Sequence, residues 1–319
     1  MDEFELIKNY FQRLSQKSSS SLDLNDDVFF DKKNNLVISV DTYNERSHFV
    51  NFNKPDLVIK KIIRSSISDL ISKGVNPKYY FISASGNKKS FSKLNLSKIS
   101  KSLNEEQNKF NIILGGGDTV FSNKLSFTIT SVGFSNNIIY RNKTKNNDDI
   151  YVSGNLGDSY LGLLVLQKKI KLNNSSSNYF TSQYFMPNIQ LKLANQLKSF
   201  ANSSIDISDG LIADLDKLIN NQKFSYKLYL KDIPISFNLR KILKSKKLSK
   251  INLISKGDDY QVLFTASETK SSLIKKVSNK LGIKITKIGR IQNKSLKSSI
   301  IDENNAVITL KNKGYFHKF

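Results

Sequence analysis

Ten of the chain's 27 acidic residues stand in settings that suit metal–phosphate chemistry. Asp26-Asp27, Asp41, Asp69, Asp118, Asp158, Asp206, Asp209 and Asp258-Asp259 fall at the ends of expected elements or beside Gly, Ser or Thr. Carboxylates and backbone carbonyls at such ends are the hard oxygen ligands that Mg²⁺ prefers, with waters and substrate phosphates completing the shell. The stretch Ile112-Ile113-Leu114-Gly115-Gly116-Gly117-Asp118-Thr119 concentrates the pattern. Its apolar residues read as a short buried strand, and its glycines as a tight turn whose N–H groups stay open to a phosphate. A lone Asp beside a turn is ordinarily a cap, and Asp158 and Asp214 are assigned that role.

Other chemistries find no support. There is no Gly-x-x-x-x-Gly-Lys-Ser/Thr loop, no kinase-like glycine-rich loop with His-Arg-Asp, and no Gly-x-Ser-x-Gly elbow. The two histidines, His48 and His317, are not spaced from acids as a zinc site requires. Zero cysteines exclude disulfides and thiolate sites. Asp23, Asn25 and Asp27 resemble the start of a calcium loop, but Val28 occupies the glycine position and Asn34 the final glutamate position.

The net charge of +23 raises nucleic acid as a partner. Arginine appears only at 13, 46, 64, 141, 240 and 290, so 44 of the 50 basic residues are lysine. Base-specific contacts favour the arginine fork, and the lysines are scattered. The excess reads as coding bias, and no specific nucleic-acid partner is expected. No window is apolar enough for a membrane span, and the acidic start Met1-Asp2-Glu3 lacks a signal-peptide layout, so a cytoplasmic protein is expected.

Positioning these acids requires mixed elements. A helix is expected over 4–13, a flexible link over 15–21, and a strand at Leu36-Val40 running into Asp41-Thr42. A helix follows from Pro55 to Gly74, with Ile59, Ile62, Ile63, Ile67, Leu70 and Ile71 at helical spacing. Strand 79–85, helix 92–110 and strand 125–134 complete the first half, and the polar run 143–149 marks a boundary. The second half has strands at 150–153, 225–230, 260–265 and 283–291. Its helices are expected at 159–169, 188–200, 211–220 and 269–281, with a low-complexity loop at 173–178. The class is α/β (α+β) in two domains, 1–142 and 143–319.

The ordered set of motifs resembles the thiamine-monophosphate kinase family. It runs through Asn25-Asp26-Asp27, Ser39-Val40-Asp41-Thr42 with His48-Phe49, and Ser68-Asp69-Leu70 before Gly74. It continues with Gly116-Gly117-Asp118-Thr119, Arg141, Val152-Ser153-Gly154, Leu156-Gly157-Asp158 and Ile205-Asp206-Ile207-Ser208-Asp209-Gly210. Gly257-Asp258-Asp259-Tyr260 and the aromatic tail Gly314-Tyr315-Phe316-His317 close it.

The resemblance implies a fold shared with aminoimidazole ribonucleotide synthetase and selenophosphate synthetase. The N-terminal domain would pair with a second copy in a barrel-like homodimer core, and the C-terminal α/β domain would close over the site. The implied reaction is direct in-line transfer from ATP to thiamine monophosphate with several Mg²⁺ ions and no catalytic side-chain nucleophile. By family match, Asp27, Ser39, Val40, Asp41, Asp69, Asp118, Asp206 and Asp209 hold metal. Gly117, Asp118, Arg141 and Ser208 contact ATP, and His48, Asp258 and Tyr315 hold thiamine phosphate.

Five residues depart from the pattern of the family it resembles. Asn25 replaces a glycine, Val40 a threonine, Ser66 an asparagine, Lys256 a glycine, and Asp258 a glutamate. Another ATP-dependent member of the superfamily is the enzymatic alternative, and a basic nucleic-acid-binding module the non-enzymatic one.

Overall fold

The computed structural model describes residues 3–310 together with Gly314 and Tyr315. Short helices α1 (Glu3–Leu6) and α2 (Gln12–Ser15) flank a π-helical turn, Ile7–Phe11. Next come β1 (Phe29–Asp31), β2 (Leu36–Asn44), α3 (Pro55–Ser72), β3 (Pro77–Gly86), α4 (Lys93–Phe110), β4 (Ile113–Phe121) and β5 (Ser126–Phe134). The five strands form one sheet in the order β1-β2-β5-β3-β4, with only β3 and β4 parallel.

The second half opens with β6 (Asp149–Ser153), α5 (Asp158–Leu166), α6 (Asn174–Phe185), α7 (Leu191–Leu197) and β7 (Ser203–Asp206). It continues through α8 (Leu211–Leu218), β8 (Ser225–Tyr229), α9 (Phe237–Lys246), α10 (Lys250–Ile254) and β9 (Val262–Ala266). Helix α11 (Ser271–Leu281), β10 (Ile285–Gln292) and β11 (Ser299–Ile301) complete it. Its sheet runs β11-β8-β10-β6-β9-β7. This is the mixed α/β class expected, and no described helix is long and apolar enough to cross a membrane.

Helix α3 joins the halves. Pro55 at its start presets helical φ where an N–H would be orphaned. Ile59, Ile62, Ile63, Ile67 and Ile71 are all at most 1% exposed and share one cluster with Phe127 and Ile129 from the first half and Tyr184, Leu193 and Phe264 from the second. Burying each such side chain contributes about 1.5–3 kcal/mol. The helix therefore has no solvent face: Lys61, Arg64, Ser65, Ser66, Ser68 and Ser72 are buried as well. It stops at Gly74, whose φ of +72° suits glycine, with Val75 N–H donating to Leu70 O at 2.9 Å.

Several expectations are corrected. The glycine run is not a turn after a buried strand; β4 continues through it, with a register shift at Gly115, as an edge strand exposed along its length. Glycine is needed there because a Cβ on Gly117 would meet Ile82 O at 1.9 Å. The stretch expected as a loop at 173–178 is the start of α6, capped by the Asn173 side chain, which accepts from Ser176 N–H at 2.8 Å. That Ser/Asn-rich turn has no apolar period; Phe180, Tyr184 and Phe185 further along bury it. The helix expected over 188–200 is only Leu191–Leu197. Within the link at 15–21 a 3₁₀ turn begins, Ser19–Leu24, in which Leu22 and Asp23 have positive φ.

Candidate active site

Three carboxylates converge where α3 meets both sheets. One oxygen each from Asp27, Asp69 and Asp206 lies within 4.8 Å of the others. Asp27 comes from the loop before β1, Asp69 from the last turn of α3 and Asp206 from the end of β7. Asp41 joins through β2, whose Ser39, Asp41 and Tyr43 point toward α3 while Val40 and Thr42 point away. The Ser68 hydroxyl donates to Asp206 Oδ2, and Ser39 Oγ to Ser66 O at 3.3 Å. All-oxygen donors of this density fit a Mg²⁺-type ion.

Electrostatics agree with a site built for cations. Burial, against hydrogen bonds that pull the other way, raises Asp41 to about 7. Burial also raises Asp206 to about 7, with Asp214 and Asp41 adding repulsion. Asp69 is pushed well above the carboxylate range by burial, then by Asp41 and Asp206. Like charges crowded in low dielectric favour protons until a cation arrives.

The neighbouring acids carry side-chain cations. Lys73 Nζ is 2.7 Å from both Asp26 Oδ1 and Asp27 Oδ2. Arg141 also engages Asp27, through Nε to Oδ2 at 3.1 Å and a close guanidinium contact to Oδ1. Lys217 pairs with Asp209 and lies 3.1 Å from Asp214. Asp214 Oδ2 accepts from Asp209 and Gly210 N–H at 2.9 and 3.1 Å, the turn role expected of it. Asp158, in the first turn of α5, instead accepts from Ser236 and Tyr179 hydroxyls.

A second constellation adjoins the first. Lys61 Nζ is 2.5 Å from Asp258 Oδ1 and 4.1 Å from the centroid of Tyr184, whose hydroxyl donates to His48 O at 3.0 Å. Tyr260 hydroxyl donates to Asp258 at 3.1 Å. The His48 ring packs edge-on against Tyr43 at 5.8 Å, which links back to the acids. Asp258 and Tyr260 hold φ of +63° and +49°, strain of the kind that collects at ligand sites. Gly257 lets this loop touch the next motif: a Cβ there would meet Ser208 O at 2.0 Å. Ser208 O also accepts from Asp258 N–H at 2.9 Å.

Not every expected site residue is brought in. Asp118 on β4 is in register with Ser83, which pairs with Thr128, which pairs with Thr42. Three strand spacings, about 14 Å, therefore separate its backbone from that of the Asp41 region within one chain. Gly117 shares that edge. Val40 is 61% exposed on the open face of the sheet, so its side chain does not join the acids. Tyr315 N–H donates to Asp209 O at 3.0 Å, holding the start of the tail against the 206–210 loop. Phe316 and His317 lie outside the described residues.

Sequence reading missed Lys61, Lys73 and Tyr184. A lysine at a helix C-terminus such as Lys73 ordinarily reads as a solvated partner of the helix dipole, one within a helix such as Lys61 as a solvated face, and nothing local marks either as buried.

The segment 25–135 matches the AIR synthase related protein, N-terminal domain family. Along nearly its whole length the chain is 34% identical to the thiamine-monophosphate kinase of Buchnera aphidicola subsp. Schizaphis graminum, covering 99% of this chain and 98% of that one. It is 29% identical to the thiamine-monophosphate kinase of Escherichia coli K12 over 99% and 98%. A solved structure of AaThiL complexed with AMPPCP and TMP superposes with a TM-score of 0.85 at 23% identity, covering 99% and 97%. The hydrogenase maturation protein HypE of E. coli shares the fold at a TM-score of 0.68 and 17% identity, over 88% and 87%. On its full-length identity to these relatives, the chain belongs to the thiamine-monophosphate kinase family of enzymes.

Proposed function

We propose that this enzyme transfers the γ-phosphoryl group of ATP to thiamine monophosphate, giving ADP and thiamine diphosphate, with Mg²⁺ as the required cation. The observation that carries the reading is the convergence of Asp27, Asp69 and Asp206 beside Asp41, in a chain of this family. Bringing ATP up to a phosphate monoester opposes like charges, so the site must supply cations and orientation. Bound Mg²⁺ neutralises and orients the phosphates. Asp27, Asp41, Asp69 and Asp206, with Ser39, the Val40 carbonyl, Asp118 and Asp209, hold it. No side chain serves as nucleophile, and transfer is direct and in line.

Arg141, Ser208 and Gly117 receive ATP. His48, Asp258 and Tyr315 receive thiamine phosphate, with the tyrosine ring facing the fixed positive charge of the thiazolium. The Lys61–Asp258 pair supports this division: an acid already neutralised by lysine accepts hydrogen bonds from a neutral pyrimidine rather than pairing with the thiazolium.

Residues 1–142 form the ATP-binding and dimerisation part, and residues 143–319 the part that closes over it. A homodimer is supported by the open sheet edge at β4 and the apolar face beside it, where Val40 and Phe121 are 61% and 75% exposed. In that dimer the second copy delivers Gly117 and Asp118 to the cluster that they cannot reach in their own chain. Mass spectrometry of a reaction with ATP, Mg²⁺ and thiamine monophosphate tests the proposal by the appearance of thiamine diphosphate.

A further inference from the structure

Lys73 follows the last residue of α3, where a lysine ordinarily points to water, yet its side chain is 0% exposed. Its ammonium is 2.7 Å from Asp26 Oδ1, 2.7 Å from Asp27 Oδ2, and donates to Ser204 O at 2.8 Å. All three N–H donors are thereby matched, which is what allows so costly a burial. Asp26 spends its other oxygen on Arg141 N–H at 2.9 Å. Both oxygens of Asp27 already face cationic side chains, Lys73 and Arg141. Among the described residues, Asp41, Asp69 and Asp206 have no ion pair. The Lys73 charge still reaches Asp69 and Asp206, lowering the proton affinity of both.

We propose that Lys73 is a tethered cation of the acid cluster, a positioning residue that keeps Asp26 and Asp27 in place without metal and competes with the divalent ion shared by Asp27, Asp69 and Asp206. The inference rests on the reading of that cluster as a metal site. A unit charge a few ångströms from a divalent ion opposes it strongly in a partly buried setting. Without the ammonium, Asp27 keeps only Arg141 and Asp26 keeps no side-chain cation among the described residues, so the pair draws in a mobile cation instead.

The test uses the full-length, metal-stripped protein and its Lys73→Met variant, which keeps most of the apolar stem. Mn²⁺ binding is followed by the electron paramagnetic resonance signal of the free ion, and melting by scanning fluorimetry. The variant is expected to bind Mn²⁺ about tenfold more tightly than wild type. Its metal-free melting temperature should fall by about 5 °C or more and recover in Mn²⁺. Should the single variant not fold, Lys73→Met with Asp26→Asn removes the cation together with one of its acids and is expected to show the same tighter binding. Unchanged Mn²⁺ affinity, with a melting deficit that persists in Mn²⁺, makes Lys73 a purely structural tie and overturns the proposal. Absence of Mn²⁺ binding in wild type and variant alike overturns the metal reading beneath it.

Discussion

The ammonium of Lys61 lies 2.5 Å from the Asp258 carboxylate and over the ring of Tyr184, so a side chain of α3 holds a loop from the other half of the chain. Lys61→Met removes the charge and keeps the stem. It is expected to raise KM for thiamine monophosphate about tenfold, about 1.4 kcal/mol, with KM for ATP little changed. Steady-state kinetics varying each substrate checks this, and Lys61→Arg should restore part of the loss. Equal changes for both substrates would assign the pair to structure.

Neutralising the central acids separates stability from function. Asp41→Asn and Asp118→Asn are each expected to lower kcat by a factor of about 10³ or more, in line with losing a charge that positions transferring phosphates. Asp41→Asn should not lower the melting temperature of the metal-free protein, because it relieves repulsion with Asp69. Near-normal turnover in either variant at saturating Mg²⁺ contradicts the metal assignment.

The raised carboxyl groups fix a sign for pH. Burial lifts Asp41 and Asp206 to about 7, from 3.8, and raises Asp69 well above its ordinary value, while the Lys73 charge pulls Asp69 and Asp206 the other way. Between about pH 4 and 7 the metal-free folded protein thus holds protons that the unfolded chain has released. Their contribution is fully present below about pH 4 and is lost as pH rises through 7. With chelator, the melting temperature is expected to drop from pH 5.5 to 8; with Mg²⁺ the drop should shrink, since the ion binds the ionised form. A chelated protein that gains stability over this range contradicts the account.

Tyr315→Ala addresses the tail. The backbone of Tyr315 is tied to Asp209, and the residue is 43% exposed. The variant is expected to raise KM for thiamine monophosphate about tenfold, within the range of a cation–π contact, and to leave KM for ATP nearly unchanged. A large fall in melting temperature instead would make the ring an anchor.

The fold class and the acids are legible in the sequence. The α3 isoleucines at helical spacing, the β2 acid at a strand end and the ordered motifs pointed to the class and to the acids. The Gly115–Gly117 run misled because glycine signals close backbone approach as well as turning, and only the neighbour Ile82 distinguishes the two. Helix α6 was missed because its first turn draws stability from packing of Tyr184 and Phe185 rather than from its own sequence. Lys61 and Lys73 were invisible among 44 lysines, since burial is set by segments far away in the chain. Whether Asp118 meets Asp41 cannot be read from sequence order at all; strand order decides it.

The most direct measurement is quantitative mass spectrometry of the purified full chain with ATP and thiamine monophosphate, with Mg²⁺ and with chelator in parallel. The account predicts one thiamine diphosphate and one ADP formed per turnover in Mg²⁺, and formation abolished by chelator. ATP hydrolysis with no thiamine diphosphate, or equal product in chelator, would contradict it.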